Sequence, residues 1–506
     1  MMALVLFLGD GPLTLAQIAA VATGQQPTEF SPASVVRMQT SRRAVAELLA
    51  SGQVAYGVNT GFGRLSDHVI PPEQLQTLQR NLVRSHACGI GNPLSPEETR
   101  ALLLLRANAL GLGFSGARAE VAQLVNELLV RDVLPIIPEK GSVGASGDLA
   151  PLAHLALVLI GEGQALYHAE VLPGGEALKL AQLVPIELQA KEGLALLNGT
   201  QAINAVGALA LWRAFRVSRA ASIAGAMSLE ALLGTPVAFD ERIHLARPHS
   251  TQLRTAQRLR HLLRKSEIRE SHLVGDPRVQ DAYSLRCMPQ VHGAVEHALE
   301  HARSVLEIES GSATDNPLVF CDGETEILSG GNFHAAPLGL VLDYAAIALT
   351  DLGSVSERRI DRLINPDLNE SLPAFLTPHP GVSSGFMIAH VAAVSLLSEC
   401  KVLSHPSSVD NLPTSGGKED HVSMGMTAAL KFRSIVTNME NVIAVELLCA
   451  AQGIEFRRPL RAGEGVEQAH SIVREMVPKL GEDRALAPDI AAIAAAIRVG
   501  RFDTVS

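Results

Sequence analysis

The chain has 506 residues, of which 47% are hydrophobic and 19% charged, and its formal net charge is −10. An acidic excess of this size favours solubility and argues against a nucleic-acid partner, which would call for a basic surface. Aromatic residues make up only 4% while Ala and Leu abound, a balance that favours close-packed helices over sheets. The five cysteines, at 88, 287, 321, 400 and 449, are odd in number, scattered and without a C-x-x-C pair. They suit buried thiols in a reducing cytoplasm better than a disulfide framework or a zinc site. The apolar start to Leu8 is short and lacks a basic flank, so no signal peptide is expected. The apolar run 149–160 is too short to cross a bilayer, and the longer one after Asn198 is interrupted by Arg213, Arg216 and Arg219. A soluble, cytoplasmic protein with no membrane partner is expected.

Thr14 with Gln17 forms a capping box that opens the first helix. A glycine-rich loop follows, Tyr56-Gly57-Val58-Asn59-Thr60-Gly61-Phe62-Gly63, carrying one of only four tyrosines. Next comes Ser85-His86-Ala87-Cys88-Gly89. Ser95, Pro96 and Glu98 then supply an N-cap, an N1 proline and an N3 acid for a helix to about Leu110. Gly111 to Gly116 fits G-x-G-x-x-G but follows a helix rather than a strand, so dinucleotide binding is not expected.

Gly141-Ser142-Val143-Gly144-Ala145-Ser146-Gly147-Asp148 is the most informative loop. The unshielded amide nitrogen of Gly147 can attack the carbonyl carbon of Ala145, closing a five-membered ring. Loss of two waters, one of them taking the Ser146 hydroxyl, leaves an exocyclic methylene conjugated to carbonyls. That methylidene-imidazolone is an electrophile, the one kind of group that ordinary side chains do not supply.

Asn198 precedes Gly199-Thr200-Gln201, where an asparagine at a helix start is ordinarily a cap. Long helical patterns cover about 198–234, 289–310, 333–362, 383–404 and 419–453, and no run of alternating strands supports a central sheet. The expected class is therefore all-α, a bundle of long helices with a loop-rich N-terminal part to about 197. With no low-complexity linker and no internal repeat, residues 1–506 are expected to form a single catalytic unit. Within Gln280-Asp281-Ala282-Tyr283-Ser284-Leu285-Arg286, Tyr283 and Arg286 share a side if the segment is helical, and the Arg286 fork suits a carboxylate. Asp315-Asn316-Pro317 reads as a structural turn, and Gly331-Asn332-Phe333-His334 follows it. Lys418-Glu419-Asp420 is expected to open the helix from 419, where capping and the macrodipole would account for Asp420.

Taken together and in this order, these motifs resemble the histidine and phenylalanine ammonia-lyase family over almost the whole chain. The resemblance implies a fumarase/aspartase-like fold and a homotetramer whose active sites draw on three subunits. It implies a methylidene-imidazolone made from Ala145, Ser146 and Gly147, with no metal required. It makes Tyr56 the tyrosine of a lid loop, and Tyr56 or Tyr283 the base for the β-proton. His86, Asn198, Gln280, Arg286, Phe333 and Glu419 become substrate-binding residues. Ser85-His86 and Glu419 match the histidine-specific members, implying deamination of L-histidine to trans-urocanate, although Lys418 stands where the family usually has Gln. A tyrosine or phenylalanine lyase, an aminomutase of the same family, or a non-catalytic helical scaffold are the other readings. A tyrosine base, with an unperturbed pKa of about 10, would need positive neighbours such as Arg286 and would favour alkaline pH.

Overall fold

The computed structural model describes residues 4–276 and 278–505. They fall into two compact units built from separated stretches. The first holds the chain to Trp212 with Ala302–Asp343 and Pro406–Leu430; the second holds Arg213–His301, Tyr344–His405 and the chain from Lys431. The change of character expected near 197 lies inside the first unit.

In the first unit the start signals work as their chemistry dictates. Thr14 Oγ1 accepts from the Gln17 N–H at 3.2 Å and the Gln17 side chain accepts from the Thr14 N–H at 2.9 Å, opening the Leu15–Ala22 helix. Ser95 and Glu98 form the same reciprocal pair ahead of Pro96–Gly111, a helix buried along almost its whole length. Four sheets occur among the described residues, none with more than three strands, and all lie in this unit. The strand Ile90–Pro93 pairs antiparallel with Pro138–Lys140, which leads directly into the 141–148 loop. Lys191 and Asp315, both buried, form an ion pair at 2.7 Å, in keeping with a structural role for the Asp315-Asn316-Pro317 turn.

Among its described residues the second unit has helices and loops but no strand. The long helices are Gln201–Ala231, Met288–Ser310, Ala336–Ile364, Met387–Leu403 and Gly425–Glu455, and all but Met387–Leu403 run through the boundary between units. Buried polar groups tie their second-unit portions together. Glu446, fully buried, takes Arg359 at 2.5 and 2.9 Å, the Ser228 hydroxyl at 2.9 Å, and the Ser356 hydroxyl. Arg359 also approaches His292 Nε2 at 3.3 Å and donates to the Ser284 carbonyl at 3.2 Å. Burial holds the His292 imidazole well below its usual range, with the Arg359 charge acting the same way. Ala336–Ile364 and Gly425–Glu455 are long and apolar enough to cross a membrane by composition. Yet 61% and 78% of their apolar windows are buried in protein, as befits core helices.

Removing one member of a buried ion pair strands the other charge at a cost of about 3–5 kcal/mol. Glu446→Ala should therefore lower the urea-unfolding free energy by that order. Arg359→Met combined with Glu446→Leu should lose much less, since the uncompensated charge is gone.

Candidate active site

The 141–148 loop joins the strand Pro138–Lys140 to the helix Leu149–Leu159 and is clamped on two sides. On one side it meets the 198–199 corner. Gly147 has φ +73, and a Cβ built on it would overlap the Gly199 carbonyl, so only glycine fits. That absence of a side chain lets the Asp148 N–H donate to Gly199 O at 2.6 Å. The Asn198 side-chain amide donates to the Ser146 carbonyl at 3.0 Å. On the other side, the Ser423 hydroxyl donates to Gly144 O at 2.9 Å and the Met424 N–H to Val143 O at 2.8 Å. Ala145 packs in a small cluster with Val422 and Met424.

Asp148 is fully buried beneath this loop. It accepts from the Ile203 N–H and the Ser142 hydroxyl, each at 2.8 Å. Burial pushes its carboxyl up to about 7 against those hydrogen bonds.

Glu419 faces the loop. Its Oε1 accepts from the Ser146 hydroxyl at 2.6 Å and its Oε2 from the Thr414 hydroxyl at 2.5 Å. The expectation that residue 419 opens a helix is overturned, because the helix begins at Gly425. Thr414 and Glu419 are bridged across a turn containing Gly416 and Gly417 at positive φ, and Met424 at φ +53 breaks the backbone again. Ser423 Oγ accepts from the Gly425 N–H at 3.1 Å, doing the capping that the acids were expected to do. Asp420 and Lys418 are exposed on this loop.

Tyr56 belongs to the same neighbourhood. The Gly63–Leu65 turn that ends its loop packs against the Ser415–Gly417 turn. Burial holds the Tyr56 hydroxyl above the usual tyrosine range. A hydrogen bond with the Gly63 backbone opposes this, and Glu419 adds to it. His86, the last residue of the helix Leu75–His86, has Nδ1 2.8 Å from the Leu82 carbonyl and 3.0 Å from the Ser85 hydroxyl. A carbonyl can only accept, so Nδ1 carries the proton and Nε2 is left as an acceptor. Phe333 is half-buried two residues before Ala335, whose N–H donates to Gly144 O at 3.2 Å. Asn198 caps the C-terminus of Glu192–Leu197 rather than starting the next helix.

Gln280, Tyr283 and Arg286 belong to the second unit. Tyr283–Arg286 is a single helical turn, and the Arg286 guanidinium lies 4.5 Å from the Tyr283 ring centroid, on the shared side that their spacing implies. Tyr283 is 71% exposed. Arg286 Nε is buried without a hydrogen-bond partner among the described residues. Gln280 and Tyr283 line a cavity of about 310 Å³ with Arg278, Asp281, Arg362 and Glu370.

Some supporting groups escape a reading of the sequence. Arg106, fully buried in the first unit, donates to the Asn198 carbonyl at 2.9 Å, to Gln201 Oε1 at 2.7 Å and to the Ala195 carbonyl. The signal was a lone cation inside the run Leu102-Leu103-Leu104-Leu105-Arg106-Ala107. Ser423 and Thr414 carry no such mark; each is an ordinary loop hydroxyl until the fold brings it to its partner.

Known proteins share both pattern and fold. The sequence pattern of the aromatic amino acid lyase family matches residues 13–475. A histidine ammonia-lyase of Koribacter versatilis is 52% identical, the alignment covering 98% of each chain. The crystal structure of a histidine ammonia-lyase from Trypanosoma cruzi superposes with a TM-score of 0.91 at 44% identity, over 99% of this chain and 94% of that one. A tyrosine aminomutase from Streptomyces globisporus superposes with a TM-score of 0.94 at 35% identity, over 99% and 98%.

The Asp148 carboxyl holds its proton to a higher pH when folded than when unfolded. The native chain therefore binds the extra proton between about 4, the unfolded value, and about 7. Stability contributed by this group should fall as pH rises through that window. Asp148→Asn cannot titrate, so urea-unfolding free energies of wild type and variant should diverge across the window. Parallel curves would show the carboxyl ionised throughout.

Proposed function

The chain belongs to the aromatic amino acid lyase family, and on that premise we propose that it converts L-histidine to trans-urocanate and ammonia, without a metal. The observation that carries the substrate choice is the pair His86 and Glu419. With Nδ1 of His86 occupied, its Nε2 can accept from one ring N–H, and the Glu419 carboxylate from the other, when the substrate ring is the imidazolium. A benzene ring would leave both groups unpartnered.

The residues at the loop suit a methylidene-imidazolone made from Ala145, Ser146 and Gly147. Gly147 sits where a Cβ cannot, leaving its nitrogen unshielded, and Asn198 places a donor on the Ser146 carbonyl. Asn198 Oδ1, buried and unpartnered among the described residues, remains for the substrate. Once formed, that group supplies an electrophile that eases departure of the amine.

The chain's own side chains do the rest. Arg286 offers its guanidinium fork to the substrate carboxylate, aided by Gln280, and such charge-assisted bonds contribute about 1.5–3 kcal/mol each. Phe333 forms a flat apolar wall that excludes water. Tyr56 closes the site from its loop. Burial disfavours the phenolate of Tyr56, which leaves Tyr283, as the phenolate, to take the β-proton and become the phenol, with the Arg286 guanidinium over its ring. The chain works as a homotetramer with active sites shared between subunits. The exposed Ile388, Val391 and Val402 on Met387–Leu403 and the exposed Leu340 on Ala336–Ile364 offer apolar surface for such contacts. A cytoplasmic setting agrees with five cysteines that are all free.

The deciding measurement is kcat/KM for L-histidine, L-tyrosine and L-phenylalanine on one preparation. A site built on ring hydrogen bonds rejects the analogue lacking them by roughly 10⁴–10⁵, so histidine should lead by that order. His86→Leu should erode the lead, and Tyr283→Phe should cost more kcat than Tyr56→Phe. If tyrosine or phenylalanine wins, the substrate assignment is wrong. Light scattering should find the active species at four times the chain mass; an active monomer would refute the shared site.

A further inference from the structure

We propose that Glu419, before it meets any substrate, is the acid that carries away the Ser146 hydroxyl when the electrophile is made. The inference rests on the reading of Ala145, Ser146 and Gly147 given above. Three observations support it. Ser146 Oγ lies 2.6 Å from Glu419 Oε1, and among the described residues no other side chain hydrogen-bonds to that hydroxyl. The separation is that of a short, charge-assisted O–H···O bond, along which a proton can pass in either direction. The carboxyl is held in place from behind, by the Thr414 hydroxyl at 2.5 Å on Oε2 and by the Thr414 N–H at 2.9 Å on the Glu419 backbone carbonyl. On the opposite side of Ser146, the Asn198 amide donates to the Ser146 carbonyl.

Those are the two aids that a β-elimination of water needs. Hydroxide is a poor leaving group, since water has a pKa of about 15.7, and it departs readily only if a proton arrives with it. The α-hydrogen is weakly acidic, and leaves more readily if the adjacent carbonyl oxygen is hydrogen-bonded as negative charge gathers there.

The step balances as follows. A water molecule takes the proton from Ser146 Cα, and the Cα–H electron pair becomes the second bond between Cα and Cβ. The Cβ–Oγ bond breaks with its pair going to Oγ. The hydronium so formed gives its proton to the Glu419 carboxylate, which passes it to Oγ; Oγ leaves as water, and Glu419 ends as the carboxylate it began as. The net change is one water lost and nothing oxidised or reduced. The other water, drawn from the Ala145 carbonyl oxygen after attack by Gly147 N, needs no help from Glu419.

This order gives one carboxylate two successive partners. While the hydroxyl is present it occupies Oε1; once it has gone, that oxygen is open to a ring N–H of the substrate. The residue that discriminates for imidazole is thereby free to do so only in a chain whose electrophile is complete.

The test is intact-mass spectrometry of purified wild type, Glu419→Gln and Ser146→Ala, followed over time beside the near-ultraviolet absorbance of the dehydrated ring. Wild type should fall short of its encoded mass by two waters and Ser146→Ala should show no such absorbance. Glu419→Gln should retain the Ser146 water, losing it about 10²–10⁴-fold more slowly, the usual contribution of a positioned acid. Glu419→Asp should recover part of the rate. Dehydration of Glu419→Gln at the wild-type rate would overturn the inference and leave the proposed function intact. Wild type at its full encoded mass would instead remove the reading beneath both. Should Glu419→Gln fail to fold, judged by its helical circular dichroism, Thr414→Val takes its place. Slowed water loss there supports the role, and an unchanged rate overturns it.

Discussion

The constraint on which the site depends is the contact of two glycines, Gly147 and Gly199, with no side chain between them. Because Gly147 carries no Cβ, the backbones come close enough for Asp148 N–H to reach the Gly199 carbonyl. That contact sets the spacing at which Asn198 meets the Ser146 carbonyl. Arg106 secures the same corner from behind, satisfying carbonyls that the end of the Glu192–Leu197 helix leaves without partners. With Ser423 and Met424 gripping the far side, the loop has little freedom left. Fixing a backbone residue costs about 1–2 kcal/mol, and here the surrounding scaffold has met that cost before any chemistry begins.

Such a scaffold does not by itself select a substrate. Proteins of one fold act on different amino acids because a few side chains change while the helices stay. On the proposed reading, the choice in this chain rests on small matters of hydrogen-bond sense. The Leu82 carbonyl fixes which nitrogen of His86 holds the proton, and the Thr414 hydroxyl fixes where the Glu419 carboxylate points. Neither effect depends on the long helices, and either could be altered without disturbing them.

Much of the fold was legible. The Thr14 and Ser95 capping boxes mark helix starts because the reciprocal bonds involve only residues three apart, and four of the five long helices fall within four residues of their apolar patterns, the fifth starting six residues late. The loop at Ala145, Ser146 and Gly147 was legible as a tight turn because glycines mark it, and Gly144 and Gly147 both take positive φ. What stayed hidden depended on backbone geometry or on distant partners. Lys418-Glu419-Asp420 has the composition of a helix start, and nothing in it announces that Met424 will take φ +53 and delay the helix to Gly425. Asn198 has the look of an N-cap yet ends the preceding helix, because the left-handed Lys191 starts a short one just before it. Ser423, one loop serine among several, acquires meaning only when it reaches Gly144.

That last bond, from Ser423 to Gly144, spans 279 positions in the chain. A ribosome adding about 5–20 residues per second emits the loop on the order of tens of seconds before the segment that clamps its outer side. Through that interval the nascent polypeptide has Ala145, Ser146 and Gly147 but lacks the segment that braces the residues before them. A reactive alkene formed so early would be exposed to every thiol within reach of an unfinished chain. On the proposed chemistry, routing the brace through the last hundred residues delays arming until synthesis is nearly over, so that the fold's connectivity acts as a safety catch.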